Sequence, residues 1–432
     1  MCIYFSGIGG SGLSSLAHIA IDFGFEVCGS DIEENEAIKD LRERGALIGI
    51  GQTIQKIQKI HEEKEIYWLV YTSSLPESHP ELQFAREYSI KNTKRDVFLN
   101  FILKEKNQKL LAICGTHGKT TTTAMLTWLF ANFNEPISYL VGSQMKWGRS
   151  GHFNPDSEFF VLEADEYDRN FLAYTPYASI LTSLSYDHPD TYPSEEDYLI
   201  AFSQFLNKSK ILVGFTEDLG RLEIKKIGKD APQEFLLKKS LGNRIGEFKN
   251  FKLFGLHNRQ NAALARKLFE VLSNKKHYKI DESLIDSILS DYPGTNRRME
   301  KLKENLYSDY AHHPDEIKAT IQMASEFNKN VVVVYQPHQN LRQYEILEKY
   351  ADCFNLAKKV YWLPTYLTRE NIHLRVLTPN DIIQYLKKQD HIEVSRMDKF
   401  LIPKVNHHLL DNDLVIVMGA GTIDNWARKF LV

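Results

Sequence analysis

Long apolar runs are missing from this chain, and so is any excess of charge of one sign. No stretch of 18 apolar residues occurs, so the sequence predicts no membrane-spanning helix and no membrane as a partner. Lysine plus arginine number 53 and aspartate plus glutamate 56, interspersed to a net charge of -3. That balance offers no electrostatic footprint for a nucleic-acid backbone, and no nucleic acid is expected. Cysteine is scarce: Cys2, Cys28, Cys114 and Cys353 contain no C-x-x-C pair. They predict neither a disulfide framework nor a zinc knuckle, and they point to a reducing compartment. The first residues run straight into the apolar stretch Cys2 to Phe5 without the basic segment of a signal peptide, so a cytoplasmic location is expected. Glycine and proline, at 23 and 14, are too few for a low-complexity or disordered chain.

What is present is a soluble composition, 43% hydrophobic and 25% charged, over 432 residues. At roughly 150 residues per domain this length predicts about three domains. Short apolar runs alternate with amphipathic stretches, the pattern of parallel sheets with crossover helices, so the fold class is α/β. Expected strands are Cys2 to Phe5, Glu26 to Gly29, Tyr67 to Tyr71, Leu110 to Cys114, Phe159 to Leu162, Ser179 to Ser183, Val331 to Tyr335, Lys359 to Trp362 and Leu414 to Met418. Helices are expected at Leu13 to Phe23 and Thr121 to Phe133. The polar segment Lys104 to Lys109 and the turn-rich Asp291-Tyr292-Pro293-Gly294 mark breaks, giving domains at 1–105, 106–292 and 293–432. No internal repeat or heptad seam is found.

Between an expected strand and an expected helix lies Gly115-Thr116-His117-Gly118-Lys119-Thr120-Thr121, a shortened phosphate loop with Ile113 where the full signature has glycine. Such a loop aims backbone N–H groups and the positive end of a helix at an anion. Lys119 would meet the β/γ-phosphates of ATP and the Thr120 hydroxyl would ligate Mg²⁺. Glu163-Ala164-Asp165-Glu166 follows one expected strand and Asp187-His188-Pro189-Asp190 another. In open α/β sheets ligands bind at those strand ends, and the first run offers hard oxygen ligands for magnesium. Solvated loop carboxylates and a structural histidine are the bland alternatives. A second glycine run, Gly7-Ile8-Gly9-Gly10-Ser11-Gly12, resembles the dinucleotide fingerprint, with Asp31 near the spacing of a ribose contact. Alone it would propose an NAD-dependent dehydrogenase; beside a phosphate loop, it fits a domain that holds a nucleotide-linked substrate.

Several runs occur in a fixed order: YFSGIGGSGLSSLA with GSD, CGTHGKTTTTAML, VLEADEYDRNFLAYTP with LSYDHPDTY, GLHNRQNAALA, GTNRRME, SDYAHHPDEI and YQPH. Together they resemble the Mur ligases of peptidoglycan synthesis, through nearly the whole chain. The resemblance implies an N-terminal Rossmann-like domain for UDP, a central P-loop ATPase-type domain and a C-terminal Rossmann-like domain. It implies that a carboxylate of UDP-N-acetylmuramate takes the γ-phosphate of ATP and that an amine attacks the acyl phosphate. The GIGG start, GT-x-RR and QPH favour L-alanine as that amine; a recycled tripeptide is the alternative.

By the same resemblance, Thr120 and Glu163 would hold one Mg²⁺, and His188 a second metal or the substrate carboxylate. Lys119 would stabilise the moving phosphoryl group. His257 and Asn261 look like adenine contacts, and Arg298 and Asp309 would close over the nucleotide. Tyr310, His312, His338 and Arg342 would face the amino acid and acyl centre. Gly7 to Gly12, Asp31 and Thr72-Ser73-Ser74 would hold the uridine diphosphate. Two departures stand out. The family commonly has arginine after QPH, where this chain has Gln339, which removes one guanidinium from the amino-acid site. No lysine lies between His188 and Lys208, so a carbamylated lysine between metals is not expected. Monomer and homodimer both stay open, as does a sugar-nucleotide-binding module without catalysis.

Overall fold

The computed structural model describes residues 1–72, 75–226, 231–239, 253–275, 281–368, 370–371 and 373–432. They form two compact units. The first comprises Met1–Tyr186, Ser194–Lys239 and Ala262–Tyr292; the second gathers Asp187–Pro193, Pro293–Val432 and the described part of Ser240–Asn261.

The first unit holds two sheets. One has the strands β1 (Cys2–Ser6), β2 (Glu26–Asp31), β3 (Leu47–Ile50), β4 (Ile66–Tyr71) and β5 (Lys91–Lys94), all parallel in the order β3-β2-β1-β4-β5. The order reverses at β1, which opens a crevice beyond its carboxyl end. There the chain enters helix α1 (Ser11–Phe23), which stops at the left-handed Gly24. The other sheet has β6 (Lys109–Cys114), β7 (Ser138–Leu140), β8 (Gly151–His152), β9 (Phe159–Glu163), β10 (Ala178–Leu181), β11 (Ile211–Phe215) and β12 (Gln233–Leu237). Its order is β12-β11-β10-β6-β9-β7-β8, parallel except where β7 meets β8. Strand β6 is central, flanked by β9 and β10, so the loops after these three strands converge.

The two sheets of this unit are joined through α1. The Ser15 hydroxyl donates to Ser150 Oγ at 2.7 Å, and any side chain at Gly151 would run into the Ser15 carbonyl. Asp22 at the end of α1 pairs with Arg44 at 2.5 Å, with His152 Nδ1 at 2.9 Å and with the Phe153 N–H at 3.0 Å.

The second unit carries β13 (Glu300–Lys303), β14 (Leu306–Asp309), β15 (Val331–Tyr335), β16 (Lys359–Trp362), β17 (Ile392–Val394) and β18 (Leu414–Met418), ordered β13-β14-β18-β15-β16-β17. Only β13 with β14 is antiparallel. Its two central strands, β15 and β18, read as continuous aliphatic runs because both of their faces are covered. Val331, Val333 and Tyr335 pack in one core with Trp362, Ile416 and Met418; Val332 and Val334 pack in another with Tyr361, Val415 and Val417.

One expectation is corrected. Cys2 and Cys28 are joined as a disulfide, with Cα atoms 6.5 Å apart. The β1-α1-β2 crossover returns the chain beside its start: Tyr4 pairs with Cys28, and Cys2 lies two residues away on the same face. Spacing along the sequence does not reveal this neighbour, and cysteine usage no longer argues for a reducing compartment. Cys114 and Cys353 are free and buried. Smaller differences fall at element ends: the helix expected from Thr121 starts at Lys119, because Gly118 turns left-handed at φ 84° and opens it there. Among the described residues no helix is long and apolar enough to cross a membrane.

Candidate active site

Strand β6 is apolar and fully covered from Leu110 to Cys114, so its end is fixed in the core before the glycine loop begins. Gly115 takes φ 130°, and a side chain there would collide with Thr182 and the Ser183 backbone. The loop is therefore pressed against the segment leaving β10. The Thr116 N–H donates to Ser183 O at 3.1 Å, and the Thr116 hydroxyl donates to Ser185 O at 2.7 Å. The His117 N–H donates to Ser183 Oγ at 2.9 Å, while the Thr182 hydroxyl donates to His117 O at 2.6 Å. Thr121 stands buried in the first turn of helix α2 (Lys119–Asn132), whose leading N–H groups have no intrahelical acceptor.

Three carboxylates lie at the end of β9 and just beyond it, each with a different partner. Glu163 accepts from the Thr120 hydroxyl at 2.8 Å and from the Gly142 N–H at 2.6 Å. Asp165 pairs with Arg95 at 3.0 Å. Glu166 is paired with the Lys119 ammonium at 2.8 Å, and that ammonium also donates to Gly115 O at 2.7 Å and Thr116 O at 3.1 Å. Burial by itself depresses the Lys119 ammonium, but Glu166, Asp165 and Glu163 outweigh it and hold its pKa above the ordinary lysine value. A permanently charged lysine thus sits in the loop. Thr120 and Glu163 together offer a hydroxyl and a carboxylate, a hard-oxygen pair that fits Mg²⁺.

The N-terminal glycine run is tied to β2. Gly7 and Ile8 donate their N–H groups to Ser30 O, both at 2.9 Å, and the Gly9 N–H donates to Asp31 Oδ2 at 2.8 Å. Asn35 donates to Gly9 O at 3.2 Å, and Gly10 caps α1, whose first turn contains Ser11 and Gly12. Asp31 therefore shapes the loop as well as standing beside it. Arg95 lies where a Gly12 side chain would be, and through Asp165 it links this run to the acidic segment after β9. Thr72 follows β4; Ser73 and Ser74 lie outside the described residues.

The remaining candidates gather in the second unit. Asp187 and Arg342 are each 7% exposed, with Nε and Oδ1 3.3 Å apart, and Arg342 Nη2 lies 3.5 Å from His188 Nδ1. His188 itself has φ 59°. Burial works against the Asp187 carboxylate, yet Arg342 and the nearby histidines hold its pKa well below the usual range. His312 follows β14, with Nδ1 3.0 Å from Tyr310 O and 3.4 Å from Glu316. Its ring meets those of Tyr310 and His338, and His338 stacks on Tyr366 at 5.7 Å. Burial depresses His312 to about 3 against the pull of Glu316, so its imidazole is neutral at ordinary pH.

Arg297 and Arg298 both lie over the Tyr310 ring, at 4.7 and 5.1 Å. Asp309 accepts N–H groups from Met299 at 2.8 Å and Ala311 at 2.9 Å; its burial raises its pKa against the charge of Arg298. His257 and Asn261 open helix α3 (Leu256–Lys275), in the same unit as Arg298 and Asp309. Burial, with Arg298 second, lowers His257 to about 4. Thr120 and Glu163 thus share one unit, while His188 is grouped with Asp187 and Arg342 in the other. Glu166, Asp187, Glu316 and Tyr366 also join these clusters, although in the sequence they are only members of polar or mixed runs.

Residues 2–107 match the Mur ligase family, catalytic domain; residues 113–281 match the Mur ligase middle domain; residues 297–421 match the Mur ligase, glutamate ligase domain. The chain is 30% identical to a UDP-N-acetylmuramate--L-alanine ligase of Hydrogenobaculum, over 99% of this chain and 97% of that one. To the enzyme of the same name from Clostridium beijerinckii it is 32% identical, over 99% and 97%. The solved UDP-N-acetylmuramate-alanine ligase of Thermotoga maritima superposes with a TM-score of 0.74 at 25% identity, covering 100% of this chain and 98% of that one. With three matched domains in order and relatives of this identity over full length, the chain belongs to the Mur ligase family.

Proposed function

We propose that the protein joins L-alanine to the lactyl carboxylate of UDP-N-acetylmuramate at the expense of ATP, through an acyl phosphate, in the cytoplasm. The observation that carries this reading is the phosphate loop, with Lys119 charged and Thr120 hydrogen-bonded to Glu163 at 2.8 Å, in a chain whose full-length relatives bear that name. Phosphoryl transfer asks for positioning and positive charge more than for covalent work by the protein.

The loop N–H groups and the α2 terminus would bind the ATP phosphates, and Lys119 would stabilise the γ-phosphoryl as it moves. Thr120 and Glu163 would hold Mg²⁺, which when bound neutralises developing phosphate charge. Gly7 to Gly12, Asp31 and Thr72 would hold the uridine diphosphate, and His257, Asn261, Arg298 and Asp309 the nucleoside side of ATP. Arg342, a planar donor oriented by Asp187, suits the amino-acid carboxylate, with Tyr310, His312 and His338 around it. His188 would take a second metal or the sugar carboxylate. Domains at 1–105, 106–292 and 293–432 would carry these three tasks.

The test is phosphate release from ATP with UDP-N-acetylmuramate and, in parallel, L-alanine, glycine, L-serine or the tripeptide. Release should require the sugar nucleotide and an amine together, fastest with L-alanine. ATP hydrolysis indifferent to both would overturn the ligase reading; preference for the tripeptide would move it to a recycling enzyme.

A further inference from the structure

Glu166 is 1% exposed, and both of its carboxylate oxygens face the Lys119 ammonium, at 2.9 and 2.8 Å. An ammonium has three N–H donors. Gly115 O, Thr116 O and Glu166 supply an acceptor for each. A phosphate reaching the loop must therefore displace one of them. The two carbonyls belong to the loop that forms the cradle, whereas Glu166 stands on the segment after β9, and its negative charge opposes an arriving phosphate. The other two carboxylates of that segment are engaged elsewhere, Glu163 with Thr120 and Asp165 with Arg95.

We propose that Glu166 is a positioning residue that competes with the nucleotide phosphates for Lys119, weakening the loop's hold so that ADP can leave after phosphoryl transfer. The inference rests on the reading of Gly115 to Thr121 as the ATP site. Burial gives the competition its force, because an ion pair and a like-charge repulsion are both stronger away from water. No bond is made or broken in the exchange; the ammonium changes acceptors.

A merely structural Glu166 and a competing one predict opposite signs. If the pair only shaped the loop, removing the charge would loosen it and weaken nucleotide binding. Competition predicts that Glu166→Gln tightens it. Isothermal titration of Mg·ADP into the full-length protein should give a Kd on the order of tenfold lower for the variant than for the parent, the scale of one close charge pair. The KM for ATP should fall in the same direction, and UDP-N-acetylmuramate affinity, carried by the first sheet, should not move. An unchanged or higher Kd for ADP overturns the proposal. If the parent takes up no nucleotide at all, the ATP-site reading itself fails, whatever the variant does. Should Glu166→Gln not fold, Glu166→Asp carries the test: withdrawing the carboxylate by one methylene should tighten ADP about threefold, and unchanged or weaker binding overturns the proposal equally.

Discussion

Two paired cations, the partly buried Lys119 in the first unit and the buried Arg342 in the second, are neutralised in different ways, and the difference shows how each region works. Lys119 opens the helix that follows β6 and pairs with a carboxylate 47 residues away, on the segment leaving the neighbouring strand β9, and its three donors are all occupied. Arg342 meets groups more than 150 residues earlier: 154 residues separate it from His188. Its guanidinium has five N–H donors in a planar fork, so Asp187 and His188 can orient it and leave donors for a carboxylate ligand. The lysine is a point charge that must exchange partners to act. The arginine acts while held.

The strongest test of that contrast is Lys119→Ala. Ligation, followed as phosphate release, should fall by on the order of 10³-fold or more, with UDP-N-acetylmuramate affinity within about twofold of the parent. Equal loss of both would erase the division between the two glycine loops. Next, Arg342→Lys should lower kcat/KM for the amino acid by about 10²-fold, since a lysine cannot reproduce the planar fork, while the KM for ATP stays put. A matching rise in the ATP KM would contradict the separate duties.

The third prediction concerns pH. His312 is held at about 3 against an ordinary 6.5, so between those values the unfolded chain binds a proton that the folded chain does not. Its contribution is therefore fully present above about pH 6.5 and declines as pH falls, by about 1.4 kcal/mol per unit. Urea unfolding between about pH 7 and about pH 5 should show that loss, with a shallower slope for His312→Asn; identical slopes would place the neutral imidazole elsewhere. The smallest effect is expected from Gln339→Arg. Adding a guanidinium beside His338 should lower the KM for L-alanine about threefold. A higher KM would mean that the position, with its φ of 63°, is not part of the amino-acid site.

The same contrast explains what the sequence made legible. The phosphate loop is contiguous, so Gly115, Gly118 and Lys119 can be recognised from adjacent letters, and the apolar strand before Glu163 points to a strand end. The pairings are another matter. Nothing in Glu163-Ala164-Asp165-Glu166 tells which carboxylate meets Thr120, Arg95 or Lys119, because the segment leaves its strand and turns irregularly. Asp187 and Arg342 meet only through tertiary folding. The Cys2–Cys28 neighbourhood depends on sheet order, which a sequence separation of 26 does not state. Strand β13, read as Glu-Lys-Leu-Lys, is an edge strand with too little apolar alternation to announce itself.

The close approach of Gly151 to the Ser15 carbonyl has a bearing on chimaeras. Helix α1, which begins at the N-terminal glycine run, rests there on bare backbone, and no side chain fits between. A transplant of residues 1–105 from a relative would succeed only if its helix met the recipient's glycine at the same depth. The transferable module is therefore the first sheet together with the β8 edge, and recombination breakpoints between residues 105 and 150 should yield poorly soluble hybrids more often than breakpoints beyond His152.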